Sequence, residues 1–320
     1  MSFETITVAI CTYNRSSDLK AALESLALQS SVNPSAVEVL VVDNGSPDNS
    51  VEVAESFRDR IPFTLNVVVE KTKGLSFARN TAIEKAGGDI VAFLDDDATV
   101  LPGWIDAHVN AYKSDPEVRG VMGRIIPKWE APRPDWLDPA LDSYITVADF
   151  GEKPFTLRFP AHAPVGANMS FGRQELLDVG MFDVRYGVGG SKQIPFEEIE
   201  LAGRFFKRGW KMVYWPEAAV YHGVPANRAT LRWFSRRIFS QGRAQYIFDR
   251  DNMGSAALLA KAVSGCFVKG PILAAAAGVD YCLGKRARAA KRASVSCHNL
   301  GYLKELLSSP FSGKDRDGVQ

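Results

Sequence analysis

Ile90-Val91-Ala92-Phe93-Leu94-Asp95-Asp96-Asp97 sets five apolar residues directly against three carboxylates. So short an apolar run reads as a buried strand, and the acids mark its carboxyl end. The same design recurs upstream. Ile6–Cys11 reads as a strand ending at Thr12-Tyr13-Asn14, and Val37–Val42 as one ending at Asp43-Asn44-Gly45. Leu65–Val69 is strand-like. Helical patterns fall between the strands over Ser17–Leu28, Val51–Phe57 and Leu75–Ala86, the last stopped by Gly87-Gly88. Alternating strands and helices rich in Val and Ile predict an α/β fold with a mostly parallel central sheet flanked by helices. Ligands bind such sheets at the carboxyl ends of the strands, where these three polar groups gather.

Three adjacent carboxylates repel one another unless they are solvated or hold a cation. At an extended strand end alternate side chains share a face, so Asp95 and Asp97 are expected on one side and Asp96 on the other. Two hard oxygen ligands in this arrangement suit Mn²⁺ or Mg²⁺. The competing reading is a turn cluster that caps the following helix.

Downstream, Pro127 to Pro164 is rich in proline and aromatics and reads as a long, partly irregular excursion. Its aromatic side chains could stack on sugar rings or simply pack the loop itself. Ala167–Phe171, Lys211–Trp215 and Ala219–His222 read as strands, and Arg173–Val179 and Phe196–Arg208 as helices. From Arg228 the chain reads as helical and basic, with Arg228, Arg232 and Arg236 at helical spacing. Such a stripe suits a diphosphate or a solvated helix face.

Composition narrows the function. The chain has 320 residues, 46% hydrophobic and 23% charged, with formal net charge +1. The molecule as a whole is therefore neither a basic nor an acidic binder, and no nucleic-acid module or Ser-His-Asp set is present. The four cysteines (Cys11, Cys266, Cys282 and Cys297) form no metal or disulfide spacing. Reduced thiols and an N-terminus without a basic leader predict a cytoplasmic protein. Ala256 to Leu283 is the longest apolar stretch, but Lys261, Lys269, Gly270-Pro271 and Asp280 interrupt it, so no transmembrane helix is expected. The basic cluster Lys285, Arg286, Arg288, Lys291 and Arg292 beside it suits an interfacial helix on anionic lipid; a dimer interface or a core helix fits as well. Gly187 to Lys192 lacks the full phosphate-loop pattern and reads as a mobile loop.

An ordered set of motifs resembles family 2 glycosyltransferases. It comprises Val8–Arg15, Val39–Ser46, Lys73–Asn80, Ile90–Asp97, Gly166–Phe171, Phe196–Leu201 and Tyr221-His222. The resemblance covers about two-thirds of the chain and implies the GT-A fold. It implies a glycosyltransferase domain over 1–225, with a nucleotide-binding half to about 100 and an acceptor-binding half beyond it. A basic helical extension over 226–310 and a flexible tail over 311–320 would follow.

Roles follow from the resemblance position by position. Thr12, Tyr13 and Asn14 would line the nucleotide pocket, and Asp43 would accept hydrogen bonds from the base, most often uracil. Arg79 would sit near the nucleotide or its diphosphate, with Gly74 and Asp96 in the same nucleotide-binding set. Asp95 would face the ribose or the metal, Asp97 would ligate the metal, and His222 would complete that site. The family's base follows a Glu in a Glu-Asp pair; here Glu197-Glu198 stands instead. Glu198 takes the position of the base, with Glu197 next; the competing reading is two acids placed to complement a helix dipole. The implied activity is inverting, metal-dependent transfer of a hexosyl or N-acetylhexosaminyl group from a nucleotide-sugar donor, UDP-linked first, to a glycan or lipid-linked acceptor. Processive synthesis is not expected, and oligomerisation is left open. The alternatives are a weakly active nucleotide-sugar-binding scaffold and a nucleotidyltransferase on a similar sheet.

Overall fold

The computed structural model describes residues 3–31, 33–189 and 195–308. The expected tail and residues 190–194 of the Gly187 loop lie outside them. The chain forms two compact units, one of Met1–Arg133 with Asp142–Ala229 and the other of Pro134–Leu141 with the chain from Thr230 onward.

The first unit is built on nine strands: β1 (Ile6–Thr12), β2 (Val37–Asp43), β3 (Thr64–Val69), β4 (Ile90–Asp95), β5 (Ala98–Val100), β6 (Val118–Trp129), β7 (Phe155–Thr156), β8 (Asn168–Gly172) and β9 (Lys211–Val224). Helices α1 (Ser16–Ala27), α2 (Ser50–Glu55), α3 (Leu75–Lys85), α4 (Trp104–Ser114), α5 (Arg173–Asp178) and α6 (Glu197–Lys207) connect them. The sheet order is β3-β2-β1-β4-β8-β6-β9-β5, with β7 on β9. Pairing is parallel across β3, β2, β1 and β4, then antiparallel at β8, so the sheet is mixed beyond the first hundred residues. The α/β fold class expected from the sequence holds.

Val8, Ile10, Val39, Val41 and Val91 have no exposed surface. Each such side chain contributes about 1.5–3 kcal/mol on burial. Helices cover both faces, which is why these strands read as continuous apolar runs instead of alternating ones.

Two boundaries differ from the sequence reading. The strands expected at Lys211–Trp215 and Ala219–His222 are one strand, β9, whose register against β6 shifts between Trp215 and Ala219. The Asn168 amide spans this irregularity, donating to the Ala218 carbonyl at 2.8 Å and the Arg124 carbonyl at 2.9 Å. Trp104 Nε1 and His108 Nε2 lie 3.0 and 3.2 Å from Asn168 Oδ1. A buried amide with all its hydrogen-bonding groups engaged fixes the strand that carries His222. The Pro127–Pro164 excursion is also more regular than expected, with β6 running to Trp129, a 3₁₀ segment over Pro139–Ile145, and β7.

The second unit holds α7 (Leu231–Asn252), α8 (Ser255–Ala262), α9 (Gly270–Cys282) and α10 (Arg286–Ser308). Arg228 is not on α7 as its spacing suggested. It lies in a 3₁₀ turn, Ala226–Ala229, and α7 starts after Thr230, whose hydroxyl accepts from the Trp233 amide. A Thr cap sets the boundary more strongly than the arginine spacing does. The apolar stretch near Ala256 is a continuous helix, Ser255–Cys282, joined through a π segment at Val263–Lys269. By length and composition it could cross a membrane, and the residues that interrupt its hydropathy do not break it.

Candidate active site

Parallel register assembles the site. Thr12 pairs with Asp43 and Cys11 with Asp95, so the ends of β1, β2 and β4 stand level. Antiparallel pairing of β5 with β9 sets Ala98 opposite His222, which brings that histidine to Asp97.

At the β2 end, Asp43 is buried, and its Oδ2 accepts from the amides of Gly45 (3.1 Å) and Ser46 (2.9 Å). Its Oδ1 is buried and has no hydrogen-bond partner among the described residues, an acceptor that costs stability unless another group donates to it. Tyr13 is exposed and its hydroxyl accepts from Lys73 Nζ at 3.1 Å. Asn14 has a positive φ of 54°, and its amide donates to Ser46 Oγ at 2.9 Å. Gly74 precedes α3, where its amide donates to Asn44 Oδ1 at 2.8 Å. The Val188 carbonyl accepts from the Leu75 amide at 2.9 Å, so the described start of the Gly187 loop lies against this helix end.

At the β4 end the three acids divide. Asp95, Asp97 and His222 each offer a ligand atom, and these atoms lie within 4.8 Å of one another. His222 is buried, with Nε2 3.2 Å from Asp97 Oδ1 and Nδ1 without a partner among the described residues. Asp96 turns away from this trio. It accepts from Thr12 Oγ1 at 2.8 Å and from Arg15 at 3.1 Å, and burial pushes its carboxyl up to about 7. Burial also acts to raise Asp97, but the His222 hydrogen bond and the charges of His222, Arg15 and Arg228 prevail and hold it well below the usual carboxylate range. Arg15 lies 2.9 Å and Arg228 3.8 Å from Asp97 Oδ2. Two carboxylates and an imidazole whose Nε2 faces Asp97 fit a small divalent cation of the Mn²⁺ or Mg²⁺ kind.

Glu197 and Glu198 open α6 and are also divided. Glu197 is buried, and its two oxygens accept from the Phe196 amide (2.9 Å) and Arg79 Nη1 (3.2 Å). Burial pushes it up to about 7, reinforced by the Glu198 charge and opposed by Arg79. Glu198 meets the same Arg79 nitrogen at 3.2 Å but keeps 20% of its side chain open. Arg79 is itself buried, 3.6 Å from Asp95, and its guanidinium joins the two acid clusters. The resemblance placed Arg79 at the nucleotide or its diphosphate; the partners its guanidinium meets here are carboxylates. A Cβ at Gly166 would overlap both Glu198 Oε1 and Arg79 Nη2, so only glycine leaves room for the pair.

Sequence reasoning missed Arg15 and Arg228 as partners of Asp97, and Gly166 as the floor under Glu198. No spacing rule signals any of the three, because each depends on which loops meet.

Comparison with known proteins agrees with this architecture. Similar chains include the glucosyl-dolichyl phosphate glucuronosyltransferase of Haloferax volcanii, 29% identical over 250 residues that cover 76% of this chain and 77% of that one. The succinoglycan biosynthesis protein ExoM of Rhizobium meliloti is 27% identical over 240 residues, 74% of this chain and 73% of that one. Among solved structures, the mannosyltransferase PcManGT of Pyrobaculum calidifontis, in complex with GDP-Man and Mn²⁺, shares the fold with a TM-score of 0.61. The two are 19% identical, covering 93% of this chain and 86% of that one. The family described as glycosyl transferase family 2 matches residues 7–177, more than half of the sequence, and this chain belongs to it.

Proposed function

We propose that this glycosyltransferase is metal-dependent and inverting, and moves a hexosyl or N-acetylhexosaminyl group from a nucleoside-diphosphate donor, UDP-linked first, to a hydroxyl of a glycan or lipid-linked glycan. The observation that carries the reading is the pair of acid clusters joined by one buried arginine. Asp95, Asp97 and His222 form a cation trio, and Glu198 stands open beside it. The unpartnered Asp43 Oδ1 supports recognition of a base that presents an N–H donor. The names of the two similar chains, a glucosyl-dolichyl phosphate glucuronosyltransferase and a succinoglycan biosynthesis protein, support a place in glycan assembly.

In this mechanism Glu198 accepts the proton of the acceptor hydroxyl as that oxygen bonds to the anomeric carbon. The bond from that carbon to the phosphate oxygen breaks, and its electron pair leaves with the nucleoside diphosphate on the opposite face. Asp95, Asp97 and His222 would hold the cation, which as a Lewis acid offsets charge on the departing diphosphate. Arg79 holds Glu198 in line through the contact of its Nη1 with Glu198 Oε1. Glu197, closed off by its hydrogen bonds, orients Arg79 and stays out of the proton transfer.

The test is a panel of nucleotide sugars with Mn²⁺ and glycan or lipid-linked acceptors, with products read by mass spectrometry and anomeric configuration by NMR. Inverted product from one donor class is expected. Retained configuration would contradict the single displacement, and absence of transfer from UDP, GDP and dTDP sugars alike would contradict the enzyme reading.

A further inference from the structure

The helix Ser255–Cys282 is arranged inside out for a helix in water. Over Gly270–Cys282 the single charged residue is Asp280, and it is 3% exposed. Its carboxylate is turned onto α10, 3.1 Å from Arg288 and 2.8 Å from Arg292. The outward side carries the apolar residues, with Ile272 62% exposed and Phe267, Val279, Tyr281 and Leu283 similarly open. Solvated surface helices show the reverse pattern. A contiguous apolar face of this length marks a docking surface.

The occupant is identified by charge. From Thr230 to Ser308 the chain carries thirteen Lys and Arg against four Asp and Glu. Lys269 sits on the exposed part of the helix itself and Lys285 follows its end, whereas Lys261 is taken up by Asp249 at 2.6 Å. Two copies of so basic a surface repel each other, whereas anionic lipid attracts it. The mode of contact follows from the inner side. The Ser296 hydroxyl donates to the Gly270 carbonyl and the Asn299 amide to the Gly265 carbonyl, both at 2.8 Å, while Arg292 reaches the Ala276 carbonyl at 3.4 Å. With Asp280, these contacts clamp one side of the helix along its length to a helix rich in Lys and Arg. That leaves only one side for lipid, which suits an orientation along the interface.

We infer that this outward face is a membrane-docking surface, lying in the headgroup region of an anionic bilayer without crossing it. The inference is independent of the transfer reaction, and its test reads no activity. The full chain is sedimented with phosphatidylcholine vesicles with and without phosphatidylglycerol. Wild-type protein should partition onto the anionic vesicles about tenfold or more better, and be released by alkaline carbonate. Phe267→Asp with Ile272→Asp, both at exposed positions, should abolish binding, and Lys269→Glu with Lys285→Glu should weaken it by about tenfold or more. Far-UV circular dichroism confirms that each variant is folded. No vesicle binding, equal binding to neutral vesicles, or indifference to the aspartates would overturn the proposal. Protein retained through carbonate would show a spanning helix instead. Aspartates that dissociate a dimer in light scattering, with vesicles ignored, would show a second copy as the occupant.

Discussion

The two acid runs, Asp95-Asp96-Asp97 and Glu197-Glu198, follow one plan on either side of the Arg79 guanidinium. Each gives one carboxylate to the interior, Asp96 to Thr12 and Arg15, Glu197 to Arg79 and the Phe196 amide. Each leaves the others open, and burial raises both interior acids to about 7. The plan differs in what the open members meet. Asp95 and Asp97 converge with a histidine, whereas Glu198 faces one arginine and open space. The first arrangement is a ligand set and the second a single poised acceptor of protons. Acids adjacent in sequence thus divide between scaffold and chemistry by burial.

Removing the open and the closed member of the second run should separate them most sharply. Glu198→Gln is expected to lower turnover by about 10²–10⁴ with donor affinity unchanged. Glu197→Gln should stay within about tenfold in steady-state assays, since its partners are Arg79 and the Phe196 amide and not the reacting groups. Equal losses would erase the distinction. In the first run, Asp97→Ala should weaken metal affinity by about 10–100-fold or more, measured by Mn²⁺ titration, while Asp96→Asn keeps the trio and changes it far less. Gly166→Ala tests the linkage between the runs. Its methyl displaces Glu198 or Arg79, and turnover should fall about tenfold or more with Mn²⁺ affinity intact.

The last prediction concerns the stability of the fold, through a buried base outside both runs. Burial lowers His108 to about 4 from 6.5, opposed by its Asn168 hydrogen bond. The folded state therefore favours neutral imidazole. Its contribution is full above pH 6.5 and is lost as pH falls toward 4, because the unfolded chain takes up the proton first; this amounts to about 3 kcal/mol. Urea midpoints measured from pH 7.5 to 4.5 should fall less steeply in His108→Gln than in the wild type.

How far the sequence could carry this account depends on the range of the contacts involved. β1, β2 and β4 end where Thr12, Asp43 and Asp95 predict, because apolar runs and parallel register are local properties that alignment of the strands then combines. Strand alternation also predicts Asp96 apart from its neighbours, but Asp96 and Asp97 lie in the turn between β4 and β5, so the turn and not a strand divides them. The bridging of both runs by Arg79 was not, since it brings together residues more than a hundred positions apart. Nor was the single strand β9 with its irregularity, which Asn168 stabilises from across the sheet. The continuous helix at Ser255–Cys282 was hidden because Lys261, Lys269 and Asp280 interrupt its hydropathy without interrupting its backbone.

The most direct test of the division of labour is calorimetric binding of UDP, with and without Mn²⁺, to the wild type, Asp97→Ala and Glu198→Gln. The account predicts binding that depends on Mn²⁺, is lost in Asp97→Ala and survives in Glu198→Gln. Metal-independent binding, or binding lost in Glu198→Gln and kept in Asp97→Ala, would contradict it.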